Sequence, residues 1–251
     1  MAEAYIIDAC RTPIGRRKGA LSQEHPADMG AHVIKGLLER TGVDPEAIDD
    51  VVCGCLDNVG HQSGCVARTC WLAAGLPESV PGVTIDRQCG SSQQAVHFAA
   101  QGVMSGTQDL VVAGGTQQMS QIPIAFAMIA AKELGISDPF TGSKGWVERY
   151  GKEIVSQFVG AEMIAQKWDI SREDMERFAL ESHQRALRAI AEGRFNNEIL
   201  PYGEFTTDEG PRADTSLEKM ASLQPLAPNG RITAAVASQI SDGASALLIA
   251  S

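Results

Sequence analysis

The most constraining feature of this chain is an alternation, through its first 118 residues, of short continuous apolar runs with segments of helical period. Tyr5-Ile6-Ile7 reads as a first strand, and the loop after it holds Thr12-Pro13-Ile14-Gly15. Met29, Val33 and Leu37, flanked by Ile34 and Leu38, recur at the spacing of one helix face, and Gly42 stops that helix. Asp44-Pro45 then offers a cap followed by a first-turn proline. Asp50 to Cys55 is a short apolar strand, Val66 to Ala74 is helical, and Val83-Thr84-Ile85 is a third strand leading into Cys89. Gly90 to Met104 reads as a small-residue helix, and Asp109 to Ala113 as a fourth strand before Gly114-Gly115, read as a tight turn. Repeated βα units with unbroken apolar strands predict an α/β fold: a βαβαβαβ sheet covered by helices on both faces.

The pattern changes after Ser120. Gly135, Pro139, Gly142, Gly145 and Gly151 punctuate a stretch with few strand signals. Gln157–Trp168 and Ser171–Ala191 then read as consecutive helices, the second opened by the cap Ser171 with Glu173 and Asp174 in its first turn. Ile232-Thr233-Ala234-Ala235 reads as strand-like, and Ala244 to Ala250 as an apolar strand that wants a central place in a sheet. The expected organisation is an α/β domain from 1–118 and 232–251, with a helical and loop-rich insertion at 119–231 before the last strand.

Composition narrows the function. Apolar residues at 44% and charged residues at 21% fit a globular protein, and a formal charge of −10 argues against nucleic acid or an anionic membrane as partner. The N-terminus lacks the basic flank and apolar run of a secretory signal, and no stretch reaches the roughly 18 apolar residues of a spanning helix. These features set the expected location as the cytoplasm. In that setting the six cysteines read as reduced thiols, and Cys53, Cys55, Cys65 and Cys70 as small buried hydrophobes. Cys53-Gly54-Cys55 is too tight for a zinc pair and His61 completes no ligand set, so no metal is expected.

Cys89 is different. In Asp86-Arg87-Gln88-Cys89-Gly90-Ser91-Ser92 it follows a strand and opens a helix. A helix N-terminus presents unpaired N–H groups that favour thiolate and can face a developing oxyanion, while Gly90 leaves room for an acyl chain. Spacing alone leaves two readings open, a nucleophile and a buried structural cysteine. His97 lies about two helical turns along, too far for direct proton transfer, and reads as a packed or capped histidine. Arg16-Arg17-Lys18 reads as a solvated loop, with contact to the phosphates of a ligand as the alternative.

Four segments together resemble the thiolase superfamily, specifically its degradative acetyl-CoA acyltransferases. They are Arg11-Thr12-Pro13-Ile14-Gly15, Cys89-Gly90-Ser91, Val112-Ala113-Gly114-Gly115 with Met119-Ser120, and Ile232-Thr233-Ala234 through Ser238 to Ser241-Asp242-Gly243-Ala244. The Cys89 segment looks most like actinobacterial thiolases of fatty-acid or sterol breakdown. The resemblance implies a ping-pong exchange. The Cys89 thiolate attacks the keto carbon of a 3-oxoacyl-CoA, acetyl-CoA leaves, and the shortened acyl group passes to a fresh CoA; the reverse is a condensation. It implies coenzyme A as substrate with no bound cofactor, a homodimer or homotetramer, and CoA binding by the insertion. Within the insertion it implies a role for Arg212 at the nucleotide end, Ser238 at the pantetheine arm, and Gln157 in the substrate pocket. A solvated loop charge and a plain turn hydroxyl are the alternatives for Arg212 and Ser238. Gln157-Phe158-Val159-Gly160 stands where many thiolases have Met-Gly before Ala-Glu, so the pocket shape departs from the common pattern.

The family's second half supplies Asn-Glu-His, Gly-His-Pro and Cys-x-Gly segments, and none occurs here. The resemblance therefore implies the N-terminal part of a thiolase, inactive alone, with the other half in cis or in trans. A non-catalytic CoA- or partner-binding fragment is the alternative from another class. A ketoacyl synthase shares the strand–cysteine–helix elbow but not the Asp242-Gly243-Ala244 ending.

Overall fold

The structure, a computed structural model, describes residues 3–153 and 155–251. Packing divides them into two units: the chain up to Ala127 with Phe195–Gly210 and Ile240–Ser251, and Met128–Arg194 with Pro211–Gln239.

The first unit is built on a six-stranded sheet. Its strands are β1 (Tyr5–Arg11), β2 (Gly15–Arg16), β3 (Asp50–Gly54), β4 (Gly82–Ile85), β5 (Leu110–Gln118) and β6 (Ser241–Ala250). The order is β1-β6-β5-β3-β4, with β2 also pairing β6. β3 runs parallel to β4 and β5, as βα units require, whereas β6 is antiparallel to both β1 and β5. The apolar run near the C-terminal end thus takes the central place its composition demands.

Helices cover both faces. Those of this unit are α1 (Pro26–Thr41), α2 (Val66–Ala73) and α3 (Ser91–Ser105), and a short α4 (Phe126–Ile129) follows. On one face Met29, Val33 and Leu37 of α1 and Trp71 of α2 pack with Val51, Cys53, Val112 and Leu248. On the other, Ala95, Ala99 and Val103 of α3 pack with Val52, Val111, Ala113 and Ile249. Adjacent strand residues point to opposite faces, which is why residues 51–53, 110–113 and 246–250 form apolar runs without a break. Each fully buried side chain of that kind contributes about 1.5–3 kcal/mol.

Local signals set the boundaries. Pro26 opens α1, with His25 Nδ1 accepting from Ala27 N at 3.2 Å, and Gly42 at φ 66° closes it by donating to Leu38 O. Asp44-Pro45 caps a single 3₁₀ turn, Pro45–Ala47. Gly114-Gly115 is not a tight turn; both lie inside β5. A Cβ on Gly114 would stand 2.0 Å from Ser245 O, so the residue is small because neighbouring backbone lies against it.

The second unit holds α5 (Lys144–Tyr150), α6 (Gln157–Lys167), α7 (Arg172–Ala191) and α8 (Leu217–Ala221). Ser171 and Asp174 form the reciprocal capping box of α7. The strand expected at Ile232-Thr233-Ala234-Ala235 is a turn with one isolated bridge to Pro225. The buried Thr233 Oγ1 accepts from Ala235 N at 3.3 Å, which bends the chain where no neighbouring strand offers a ladder. Among the described residues no helix is long and apolar enough to cross a membrane.

Candidate active site

Cys89 sits in the connection from β4 to α3, one residue before the N-cap Gly90. The elbow is sharp: Gln88 adopts φ 49°, a left-handed conformation rare for its type. A small network holds it. Gln88 N donates to Asp86 Oδ1 (2.9 Å), Arg87 N donates to Ser91 Oγ (2.9 Å), and Ser91 Oγ donates to Gln88 O (2.5 Å). Among the described residues no side chain caps the first turn of α3; Gly90 N and Ser91 N donate instead to Arg87 O and Gln88 O (both 3.1 Å), closing the turn that sets Cys89 at the helix end. Its side chain is exposed, and among the described residues no group is hydrogen-bonded to its thiol. Exposure sets Cys89 apart from the other cysteines. The reading as small buried hydrophobes fits Cys53, Cys55 and Cys70, which are buried, whereas Cys65 is half-buried.

Three of the other thiols, Cys10, Cys53 and Cys55, are held protonated by their surroundings. Burial pushes Cys10 up to about 11 and Cys55 up to about 12. Cys53 is raised by its hydrogen bond with Cys70 and by burial. Each is held neutral and shut away from reagents. His97 is exposed on α3.

The sheet seats the elbow through two glycines facing each other across β3 and β5, Gly54 and Gly115. A Cβ on Gly54 would lie 2.2 Å from Ser92 N and 2.4 Å from Ser91 C; one on Gly115 would lie 2.8 Å from Ser92 Cβ. The first turn of α3 rests directly on backbone. Nearby, Asp242 is buried and its carboxylate accepts from Ser120 N (2.8 Å) and Ser120 Oγ (2.5 Å). The buried Thr12 hydroxyl accepts from Ala244 N, and its own N–H donates to Ala244 O. Motif residues far apart in sequence thus meet at the start of β6. Arg11 is structural: it pairs with Glu198 and, through two nitrogens, with Asp208.

In the second unit a cavity of about 870 Å³ is lined by Arg212 and Ser238 together. Gln157 is exposed at the start of α6 and is not among the lining residues. One face of α7 supplies Asp174, Met175, Phe178, Ala179, Ser182 and His183. α8 supplies Lys219 and Met220, and the turn from Ala234 to Gln239 closes the lining. Arg172 ties α7 to α8 by pairing with the buried Glu176 and donating to the carbonyls of Met220, Ala221 and Leu223. Glu162 of α6 accepts from Arg231 N and Ile232 N, which anchors the turn that carries Ser238. His183 Nδ1 accepts from Arg212 N at 3.2 Å. Sequence reasoning passed over His183, Lys219 and Glu162. The signal for His183 was its four- and eight-residue spacing from Ala179 and Met175 on α7.

Charged groups mix with a largely apolar wall of Ile170, Met175, Phe178, Met220 and Leu223. Such a cavity suits a ligand with both an anionic end and an extended apolar or amide arm. Among the described residues no cluster of three or more His, Cys, Asp or Glu could hold a metal ion.

Comparison with known proteins decides the family: the model for "Thiolase, N-terminal domain" matches residues 4–251. The chain belongs to the thiolase N-terminal domain family. Over its whole length this thiolase chain is 59% identical to the steroid 3-ketoacyl-CoA thiolase FadA6 of Mycobacterium tuberculosis, and it spans 62% of that protein. It is 40% identical to the 3-oxoadipyl-CoA/3-oxo-5,6-dehydrosuberyl-CoA thiolase of Escherichia coli, spanning 67% of it. The crystal structure of the Bacillus anthracis acetyl-CoA acetyltransferase superposes with a TM-score of 0.79 at 32% identity, covering all of this chain and 66% of that one.

Proposed function

We propose that this chain carries the acyl-accepting cysteine and the CoA-binding unit of a degradative thiolase. In the forward step the Cys89 sulfur bonds to the keto carbon of a 3-oxoacyl-CoA. The bond between that carbon and the neighbouring α-carbon breaks, and the electron pair leaves with acetyl-CoA, which takes up a proton. The thiol of a second CoA then displaces the shortened acyl group from Cys89. A CoA thioester is the substrate of the first step and free coenzyme A that of the second, and no other cofactor enters. The partial positive charge at the N-terminal end of α3 is suited to the oxyanion formed at each addition. Arg212 would meet the nucleotide end of CoA and Ser238 its pantetheine arm.

The observation that carries this reading is Cys89 itself: exposed, uncapped, and held at a left-handed elbow where a helix begins. The identity to a steroid 3-ketoacyl-CoA thiolase favours sterol-derived acyl groups over simple fatty acyl chains. A base for Cys89 and a proton donor for the leaving carbanion belong in this scheme to the segment the relatives possess beyond the matched length. A homodimer or homotetramer in the cytoplasm completes the proposal.

The test is acyl capture. In an enzyme carrying this chain fused to the C-terminal segment of the Mycobacterium relative, acetyl-CoA should leave an acetyl group on the peptide containing Cys89. Cys89→Ser should abolish it, and acylation that survives this substitution would refute the assignment. The chain alone should bind CoA without turnover.

A further inference from the structure

We propose that Asp214 is a built-in competitor for the phosphate groups of the ligand. In the free cavity its carboxylate holds Lys219, and a bound phosphate takes its place. The inference rests on the CoA reading of this cavity and names what regulates its affinity.

Arg212 and Lys219 are the lysine and arginine side chains of the lining. The guanidinium of Arg212 makes no hydrogen bond to another described residue, but its charge acts on the Asp214 carboxylate alongside that of Lys219, so both cations face the position an anion would take. Lys219 is already engaged. Its Nζ donates to the backbone oxygen of Asp214 and to Asp214 Oδ2 at 3.1 Å. The main chain beneath it is fixed, because Lys219 N donates to the N-cap Ser216 Oγ and Arg172 clamps the end of α8. Only the flexible ammonium arm is free to exchange partners.

Energetics favour exchange. The Lys219 and Asp214 side chains are 62% and 82% exposed, so the pair is solvated and weak. A phosphate brings up to two negative charges and more acceptor oxygens than a carboxylate, and it can face Arg212 as well. Binding therefore has to break a pair of like chemistry first, and the affinity is set by the difference.

The experiment is calorimetric titration of the full chain with CoA, dephospho-CoA and pantetheine, in the parent, Asp214→Asn, Lys219→Gln and the double variant. Circular dichroism melts check that all four are folded. Asp214→Asn should tighten CoA by about twofold to fivefold, the range an exposed pair allows. Lys219→Gln should weaken CoA by a similar factor and erase the gain from Asp214→Asn. Pantetheine, which has only the arm, should not respond. Dephospho-CoA separates the sources: a retained effect places the exchange at the pyrophosphate, a lost one at the 3′-phosphate. Unchanged or weaker CoA binding in Asp214→Asn would overturn the inference while leaving the CoA reading intact. A gain that persists without Lys219 would overturn it too, since Asp214 would then act by general repulsion. Failure of every variant to bind CoA would remove the reading and the inference together.

Discussion

Gly54→Ala tests whether the nucleophile's position is set by backbone-on-backbone packing. The added methyl would stand 2.2 Å from Ser92 N, 2.4 Å from Ser91 C and 2.6 Å from Ser92 Cα. All three are main-chain atoms, so no side chain can swing aside. Restoring ordinary contact at 3.4 Å moves Ser92 N by about 1.2 Å (3.4 less 2.2), either by lifting the first turn of α3 or by bending β3. Both are packed elements, α3 through Ala95 and Ala99, β3 through Val51 and Val52. Overpacking of that order costs about 1–3 kcal/mol, and this contact stands at the upper end because rigid backbone receives it. Chemical denaturation followed by far-ultraviolet circular dichroism should show a lower midpoint. In parallel, the rate of Cys89 alkylation by iodoacetamide should change, because the helix end that faces the sulfur has shifted by an ångström. If both the midpoint and the alkylation rate match the parent, the seat described for the elbow is wrong.

Other outcomes follow from single groups. Gly160→Ala in α6 meets nothing within 4 Å and should stabilise by about 0.5–1 kcal/mol, read as a raised denaturation midpoint. Asp242→Ala strips Ser120 N and Oγ of a buried acceptor and should destabilise by about 3 kcal/mol in the same assay. Cys10 sets an alkaline dependence. Its folded value of about 11 lies above the ordinary 9.0, so the unfolded chain releases this proton first. Its contribution is complete below pH 9 and is lost as pH rises toward 11, at up to about 1.4 kcal/mol per unit. Denaturation at pH 8, 9 and 10 should show a fall to which the raised Cys53 and Cys55 thiols also contribute, and Cys10→Ala should reduce its slope; an unchanged slope would refute the account.

The sheet was legible because strands covered on both faces must be apolar where they cross the core, and residues 51–53 of β3, 110–113 of β5 and 246–250 of β6 are. α1 and α7 were legible from spacing and caps. The turn at Ile232-Thr233 was misread because strand-favouring residues declare themselves whether or not a partner strand exists. Gly114-Gly115 was misread because a glycine chosen for close approach looks, in sequence, like one chosen for a turn. At the site, Cys89 could be singled out from its strand–helix junction. The roles of Gly54, Glu162 and Lys219 could not, since each depends on a neighbour at least five residues away along the chain and met only through folding.

What Cys89 lacks also follows from magnitudes. An exposed helix N-terminus stabilises a negative charge by about 0.3–1 kcal/mol. A positioned general base contributes roughly 10²- to 10⁴-fold, equivalent to about 3–5 kcal/mol. The elbow can orient the sulfur and receive an oxyanion, but it cannot stand in for a proton acceptor. Among the described residues no group is hydrogen-bonded to the thiol, and His97 lies two turns along α3. Two reactions should therefore separate. Alkylation asks only for an accessible sulfur and should proceed on this chain by itself. Thiolysis also asks for a proton to be taken up and returned at each addition, and should appear only when a histidine-bearing segment is supplied. Turnover by the isolated chain at the rate of the fused enzyme would mean that a base within these 251 residues reaches Cys89 after all.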